Sequence, residues 1–219
     1  MNKLKITIID YGVGNLFSVK RSLEVCGASN ICISSNPSDI LDADRVILPG
    51  VGAFGDAMLG LKKHNLVEPI LTYAASGRPL LGICLGMQLL ASSSTEFGTH
   101  KGLDLITGQV VPIPSISVDK QAQKIPFIGW SSLDQHGQRF SSPNILSPLD
   151  DHKSVYLVHS YHVIPSKLAD ITATYQYGGH SITAAIRRNN IYGLQFHPEK
   201  SSSVGLEILR SFIFLHNWS

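Results

Sequence analysis

The sequence predicts an α/β fold, with an open, mainly parallel twisted sheet, helices on both faces and a partly antiparallel β extension. In the first half of the chain, short apolar runs alternate with segments of helical periodicity, as in successive β-α-β units. In the second half, helical periodicity fades and prolines separate short β-like runs. The length of 219 residues, without a linker or an internal repeat, predicts one domain spanning residues 1–219.

Hydrophobic spacing and turn residues predict the elements of the first half. Strands are expected at 4–9, 31–34, 45–48 and 80–83. The first helix places Leu16, Val19 and Leu23 on one face and ends at Gly27. Asn36-Pro37 starts a second helix, and a single long helix is predicted over about 56–75.

The second half is predicted to be mostly β. Its strands are expected at 155–159, 171–177, 181–187 and 191–196, with a hairpin turn at Tyr177-Gly178-Gly179-His180. A closing helix is expected over 206–215, where apolar residues return to helical spacing.

Bulk properties exclude several classes of function. The formal net charge of +2 is too small to indicate a nucleic-acid partner. The chain contains no apolar run of the roughly 18 residues that a membrane span needs, and its start lacks a signal-peptide cleavage site, so a cytoplasmic protein is predicted. Three cysteines without a Cys-x-x-Cys pair argue against disulfides and thiolate zinc sites.

One cysteine lies where a predicted strand turns into a helix. It is the centre of Leu80-Leu81-Gly82-Ile83-Cys84-Leu85-Gly86-Met87-Gln88. Glycines two residues before and after it parallel the Gly-x-Ser-x-Gly nucleophile elbow, whose strained turn exposes a nucleophile. An isolated cysteine is better explained as a buried apolar residue. Because a structural cysteine needs no flanking glycines, Cys84 is predicted to attack a carboxamide or ester carbonyl and form a thioester.

A candidate base and carboxylate follow in Gln195-Phe196-His197-Pro198-Glu199-Lys200. In the extended backbone favoured before proline, His197 and Glu199 point to the same side, so the carboxylate can orient the imidazole. Taken alone, this segment is better explained as a polar loop that begins a helix. Paired with the elbow, it predicts a Cys84-His197-Glu199 triad for acyl transfer.

A glycine-rich loop, Leu48-Pro49-Gly50-Val51-Gly52-Ala53-Phe54-Gly55, follows another strand of the same predicted sheet. A tight strand-to-helix turn would explain this loop alone. In a doubly wound sheet, however, loops at the carboxyl ends of strands bind ligands. The backbone N–H of Val51 or Gly52 is therefore a predicted oxyanion donor, together with that of Leu85, directly after the nucleophile.

Two further motifs are weaker. Tyr11-Gly12-Val13-Gly14-Asn15 lacks the third glycine and the acidic residue of a dinucleotide fingerprint, so nucleotide binding is not expected. His159-Ser160-Tyr161-His162 contains two possible metal ligands, but strand alternation prevents their convergence, and a polar strand end is the better interpretation. Neither a metal nor a cofactor is predicted.

These segments together resemble the class I glutamine amidotransferases and, within that family, the glutaminase subunits of imidazole glycerol phosphate synthase. The resemblance extends over essentially the whole chain and is carried by residues 10–15, 48–54, 82–88, 158–161 and 195–201. The elbow and the His-Pro-Glu segment mark the family. The opening segment and the Pro-Gly-Val-Gly-Ala-Phe loop narrow the resemblance to these subunits.

The resemblance implies that glutamine is hydrolysed to glutamate and ammonia, with Cys84 as nucleophile, His197 as acid and base, and Glu199 as its orienting group. It also implies a glutamine-binding set formed by Gln88, Glu96, Ser160 and Tyr161. The implied partner is a (βα)8-barrel synthase subunit in a heterodimer. The barrel receives the ammonia and makes imidazole glycerol phosphate and an aminoimidazole carboxamide ribotide in histidine biosynthesis. The resemblance places three residues at or near the interface, namely Asn15, Trp130 and Lys200.

One segment departs from the family pattern. The family usually reads Pro-His-x-Gly-Trp-Asn where this chain has Pro126-Phe127-Ile128-Gly129-Trp130-Ser131. In the family this segment communicates with the synthase, so two alternatives stay open. The chain could be a second copy that supplies ammonia to another acceptor, such as a surface-sugar amidination pathway. It could be a docking subunit with weak activity. A stand-alone cysteine hydrolase is disfavoured, because such relatives place histidine where this chain has Leu85.

Overall fold

The structure, a computed structural model, describes residues 4–135, 144–148 and 153–215. The first half alternates strands and helices. Its strands are β1 Lys5–Ile9, β2 Asn30–Ser34, β3 Arg45–Gly50 and β4 Leu80–Cys84. Its helices are α1 Leu16–Val25, α2 Pro37–Leu41, α3 Phe54–Lys63, α4 Val67–Ala75 and α5 Leu85–Leu89.

The second half is mostly β. Its shorter strands are β5 Ser93–Ser94, β6 His100–Lys101, β7 Gly108–Pro112, β8 Phe127–Ser132 and β9 Asp134–Gln135. The later strands are β10 Ser154–His159, β11 Tyr161–Pro165, β12 Ile171–Tyr177, β13 His180–Arg188 and β14 Ile191–Leu194. The last helix is α6 Ser202–Ile213, and 3-10 turns lie at Leu168–Asp170 and Pro198–Lys200.

The main sheet has eight strands in the order β2-β1-β3-β4-β14-β13-β12-β9. The strands from β2 to β14 pair in parallel, and pairing is antiparallel from β14 onward. Two smaller sheets, β10-β8 and β11-β7-β5-β6, complete the β extension. The predicted open, mainly parallel sheet with a partly antiparallel extension is confirmed.

Helices cover both faces of the main sheet, because its central strands are apolar on both sides. On one face, Ile8 and Ile47 share a buried cluster with Val19 of α1 and Phe212 of α6. On the other face, alternate residues of the same strands pack against α2, α3 and α4. The sheet is therefore buried, and ligands reach it at the ends of its strands. None of the helices in the described ranges has both the length and the apolar character needed to cross a bilayer.

The structure corrects several predicted elements. The single helix predicted over 56–75 is two helices, because Asn65 adopts a left-handed conformation (φ 56°) between them. The last helix begins at Ser202, earlier than predicted, and β14 ends at Leu194 rather than at residue 196. Strands β7, β8 and β11 were not predicted, because each contains or adjoins a proline.

Candidate active site

Cys84 occupies a strained turn between β4 and α5. It is the last residue of the strand, and its backbone angles are φ 55° and ψ −114°. A positive φ is costly for a residue with a side chain, and such strain is concentrated at functional sites. The predicted elbow is therefore present in the backbone itself.

The flanking glycines are required by close approach of the backbone. A Cβ added to Gly86 would lie 1.7 Å from the carbonyl oxygen of Leu48, and one added to Gly82 would lie 2.6 Å from that of Gly86. Helix α5 thus turns back directly over the neighbouring strand β3. Any side chain at Gly82 or Gly86 would push the helix, and with it Cys84, out of place.

Three adjacent parallel strands bring the predicted site residues to one edge of the sheet. Gly50 at the end of β3 pairs with Cys84 at the end of β4, and Leu194 at the end of β14 pairs with Ile83. The loop with Val51 and Gly52, the elbow, and the segment with His197 and Glu199 follow these three strand ends.

His197 contacts both other members of the predicted triad. Its Nδ1 lies 2.8 Å from Glu199 Oε1, and the His197 and Glu199 side chains are only 4% and 1% exposed. Burial by itself lowers the pKa of His197. The hydrogen bonds to Cys84 and Glu199, and the charges of these groups, outweigh burial and raise that pKa to about 9. A raised pKa favours the protonated imidazole.

The Glu199 carboxylate contacts His197 through Oε1. Its second carboxylate oxygen, Oε2, is buried and has no hydrogen-bond partner among the described residues. The segment is also tied to β10. Ser201 Oγ donates to the His197 carbonyl at 2.7 Å and accepts from the backbone N–H of Tyr156 at 3.0 Å. These contacts hold the imidazole in a fixed position relative to β10.

A cavity of about 380 Å³ opens over the nucleophile. It is lined by Val51, Gly52, Cys84, Leu85, Gln88, Glu96, Pro126, Val158, His159, Ser160, Tyr161 and His197. The lining thus includes every residue predicted to hold an oxyanion or glutamine. Its volume is within the range of small-molecule sites.

The predicted glutamine-binding residues present defined polar atoms. Both amide hydrogens of Gln88 are used internally, since Nε2 donates to the Tyr161 carbonyl at 2.9 Å and to Gln195 Oε1 at 3.0 Å. The Gln88 carbonyl oxygen is thereby left for a ligand. Glu96 Oε2 accepts from the backbone N–H of Phe54 at 2.6 Å, which leaves its second oxygen for the same purpose.

Two further polar groups lie at the site, although no role was predicted for them from the sequence. Gln195 is fully buried, and its Nε2 lies 3.8 Å from Cys84 Sγ. His159 lines the cavity and contacts the Tyr161 carbonyl. A signal for Gln195 was present, because it precedes His197 by two residues and extended residues at that spacing share a side. Within the described part of the chain, no group of three or more His, Cys, Asp or Glu residues could hold a metal ion.

Two of the predicted interface residues meet at one exposed aromatic group. Trp130, 52% exposed, packs its ring against that of Tyr156 at 5.9 Å, and Lys200 Nζ lies 6.0 Å from the same ring. Asn15 lies apart from them in the chain, directly before α1, in the loop that follows β1. Because β1 is parallel to β3, this loop belongs to the same edge of the sheet.

The departing residues of β8 lie on its inner side. Exposure alternates along the strand, with Ile128, Trp130 and Ser132 outward and Phe127, Gly129 and Ser131 less exposed. Phe127 packs against the rings of Tyr175 at 4.9 Å and Tyr177 at 4.8 Å. The change from the family pattern therefore alters internal packing and leaves the outward face of β8 as the family has it at Trp130.

Known proteins match this chain over nearly its whole length. Residues 7–215 match the family "Glutamine amidotransferase class-I". The chain is 50% identical over 210 residues to imidazole glycerol phosphate synthase subunit HisH 1 of Legionella pneumophila strain Paris, and the match covers 95% of this chain and 98% of that protein. It is 48% identical over 211 residues to the HisH subunit of Syntrophotalea carbinolica, covering 94% and 98%.

Solved structures with lower identity share the fold. A putative GMP synthase protein from Thermoplasma acidophilum aligns with a TM-score of 0.68 at 22% identity, covering 98% of this chain and 94% of that one. PurLQS from Thermotoga maritima aligns with a TM-score of 0.69 at 17% identity, covering 96% and 98%. At these identities the likeness concerns the fold alone.

Proposed function

This chain belongs to the class I glutamine amidotransferase family, and we propose that it is the glutaminase subunit of an imidazole glycerol phosphate synthase. The observation that carries the proposal is the strained Cys84 beside His197, which is paired with Glu199, under a cavity of suitable size. The named relatives, at about half identity over nearly the whole chain, support the choice of subunit.

The triad performs acyl transfer in two halves. The Cys84 sulfur, as thiolate, attacks the side-chain carboxamide carbon of glutamine, and the new S–C bond gives a tetrahedral intermediate. As this collapses, the C–N bond breaks, and the imidazolium of His197 donates its proton to the departing ammonia. Water then attacks the thioester and gives a proton to His197. The S–C bond breaks, glutamate leaves, and the thiolate is restored.

The remaining lining groups fit glutamine by their hydrogen-bonding character. Leu85 is the first residue of α5, so its N–H has no acceptor within the helix and can hold the oxyanion, with Val51 or Gly52 as second donor. The free oxygens of Gln88 and Glu96 suit the α-ammonium group of the substrate. Ser160 and Tyr161 also line the cavity.

The partner proposed for this chain is a (βα)8-barrel synthase subunit in the cytoplasm, bound as a heterodimer through Asn15, Trp130 and Lys200. It would use the ammonia to make imidazole glycerol phosphate and the aminoimidazole carboxamide ribotide in histidine biosynthesis. The support is the cluster of Trp130, Tyr156 and Lys200, in which Trp130 is exposed. The Tyr156 backbone is hydrogen-bonded to Ser201 Oγ, which donates in turn to the His197 carbonyl. Docking at this group therefore takes place within a few contacts of the catalytic imidazole.

The deciding experiment is Cys84→Ala in the reconstituted heterodimer. We expect glutamate release from glutamine to be abolished, because no other group can form the thioester, while affinity for the synthase subunit stays unchanged. Glutamate release is measured by a coupled assay and affinity by titration calorimetry. Undiminished glutaminase activity in the variant would refute the assignment, and a native partner outside histidine biosynthesis would favour another ammonia acceptor.

A further inference from the structure

Gln195 lies beside the reactive sulfur, although the mechanism above gives it no part. Its side chain is fully buried, and its Nε2 lies 3.8 Å from Cys84 Sγ. Its Oε1 accepts a hydrogen bond of 3.0 Å from Gln88 Nε2. Gln195 thus contacts both the nucleophile and a residue proposed to bind glutamine.

The direction of these hydrogen bonds is fixed by one backbone carbonyl, that of Tyr161. A carbonyl oxygen only accepts, so the Gln88 atom 2.9 Å from it must be the amide nitrogen. That nitrogen also faces Gln195, whose facing atom must therefore be its oxygen. The Gln195 nitrogen is left pointing at the sulfur. If the Gln195 amide were reversed, its nitrogen would face the Gln88 nitrogen, so that two donors would meet. Its oxygen would then face the Cys84 thiolate.

The Tyr161 carbonyl is itself held from its other side. His159 Nδ1 lies 2.8 Å from it, and His159 Nε2 lies 3.0 Å from the hydroxyl of Tyr175. Burial lowers the pKa of His159 to about 4, so the ring is neutral and donates through Nδ1 while Nε2 accepts from Tyr175. Both acceptor positions of the carbonyl are thereby used, and its place is fixed.

We propose that Gln195 is a positioning residue for both halves of the site. It donates a hydrogen bond to Cys84 Sγ, and it holds Gln88 so that the Gln88 carbonyl faces the cavity. A hydrogen bond to a charged acceptor is stronger than one to a neutral acceptor, so this donor favours the thiolate over the thiol. The effect on glutamine hydrolysis rests on the proposed glutaminase function, whereas the hydrogen bonds of Gln195 do not.

The test reads the sulfur directly, without glutamine. The rate of Cys84 alkylation by iodoacetamide is measured against pH in the full chain, after subtraction of the rate in Cys84→Ala. In Gln195→Met, which keeps the length but loses the donor, we expect the midpoint of the profile to move to higher pH. In Gln195→Glu, we expect a larger movement, because a carboxylate opposes a second negative charge. Met87→Leu, a buried apolar change on α5, is the control and is expected to leave the midpoint in place.

A second readout separates this inference from the proposed function. With the synthase subunit present, Gln195→Met is expected to lower kcat for glutamine hydrolysis about tenfold and to raise KM, because Gln88 loses one of its two anchors. Circular dichroism establishes which variants fold. If Gln195→Met does not fold, the test is made with Gln195→Glu. An unchanged alkylation profile in a folded variant overturns the role of Gln195. A shifted profile in the variants, together with a parent heterodimer that releases no glutamate, supports that role and refutes the glutaminase assignment.

Discussion

At Gly86, an added methyl group would lie 1.7 Å from the Leu48 carbonyl oxygen, which is main chain and cannot rotate away. We therefore expect Gly86→Ala to lower the free energy of unfolding by about 3 kcal/mol or more, at the upper end of overpacking costs. Urea unfolding monitored by circular dichroism measures the change.

A matched control is Gly129→Ala in β8. A Cβ there has only the ring of Phe127 nearby, at an ordinary 3.8 Å. Alanine also restricts the unfolded chain more than glycine does, so the control variant is expected to be as stable as the parent or slightly more so. Equal stability of the two variants would show that the elbow tolerates side chains.

At this scale, the sequence was sufficient where a motif fixes the local backbone. Cys84 with its glycines, and His197 with Glu199, could be predicted to lie at one site because each set lies within a few residues of one strand end, and their catalytic roles stay predictions. The role of His159 could not be predicted, because it depends on the Tyr161 carbonyl, which reaches this ring only through folding. The spacing of Gln195 from His197 indicated a shared side but not its contacts with Cys84 and Gln88. Secondary-structure propensity carries no information about which side chains meet in the folded chain.

Strand β8 illustrates what the element scale adds. Alternation along the strand separates an inner side with Phe127 from an outer side with Trp130, and a linear motif does not show that separation. The prediction of one long helix over 56–75 was wrong because the sequence carries no strong helix breaker where the two helices separate. The break between the two helices is at Asn65, one of the few residue types that tolerate a left-handed conformation, and neither proline nor glycine marks it.

The outward side of β8 supplies a prediction for the proposed interface. Trp130→Ala is expected to weaken binding of the synthase subunit by about tenfold or more, because buried tryptophans commonly dominate interface energies. Titration calorimetry with the purified synthase subunit measures the change. Leu168→Ala, at a residue that is 83% exposed and lies outside the proposed interface, is the control and is expected to bind normally. Equal affinities would place the partner elsewhere on the surface.

For the whole molecule, sequence periodicity predicted a mainly parallel sheet, and the structure bears this out. It could not predict the strand order, in which β14, from near the end of the chain, lies beside β4. That order is set by long-range packing, and it brings His197 to Cys84 from more than half the chain away. That residues 1–219 form a single domain remains a prediction.

The same juxtaposition makes stability depend on pH. The pKa of His197 is raised from 6.5 to about 9 in the folded chain, so its contribution is complete below pH 6.5 and is lost as pH rises through 9. The free energy of unfolding is expected to fall by about 3 kcal/mol over this window through His197. Urea unfolding at several pH values measures the trend.

The control for this trend is His197→Gln, which cannot titrate at that position. Groups that do not contact His197 contribute equally to both proteins, so the difference between the two curves isolates the imidazole together with its interactions with Cys84 and Glu199. Parallel curves would mean that folding does not raise the pKa of His197.

The left-handed backbone at Cys84 has a consequence for how such a protein could be improved. A residue with a side chain in that conformation costs on the order of 1–3 kcal/mol, and glycine would relieve it. An engineer who selected variants for heat resistance alone would therefore be led to discard the sulfur that is the proposed nucleophile. Durability and reactivity compete at this position, and screens of this enzyme class should score both.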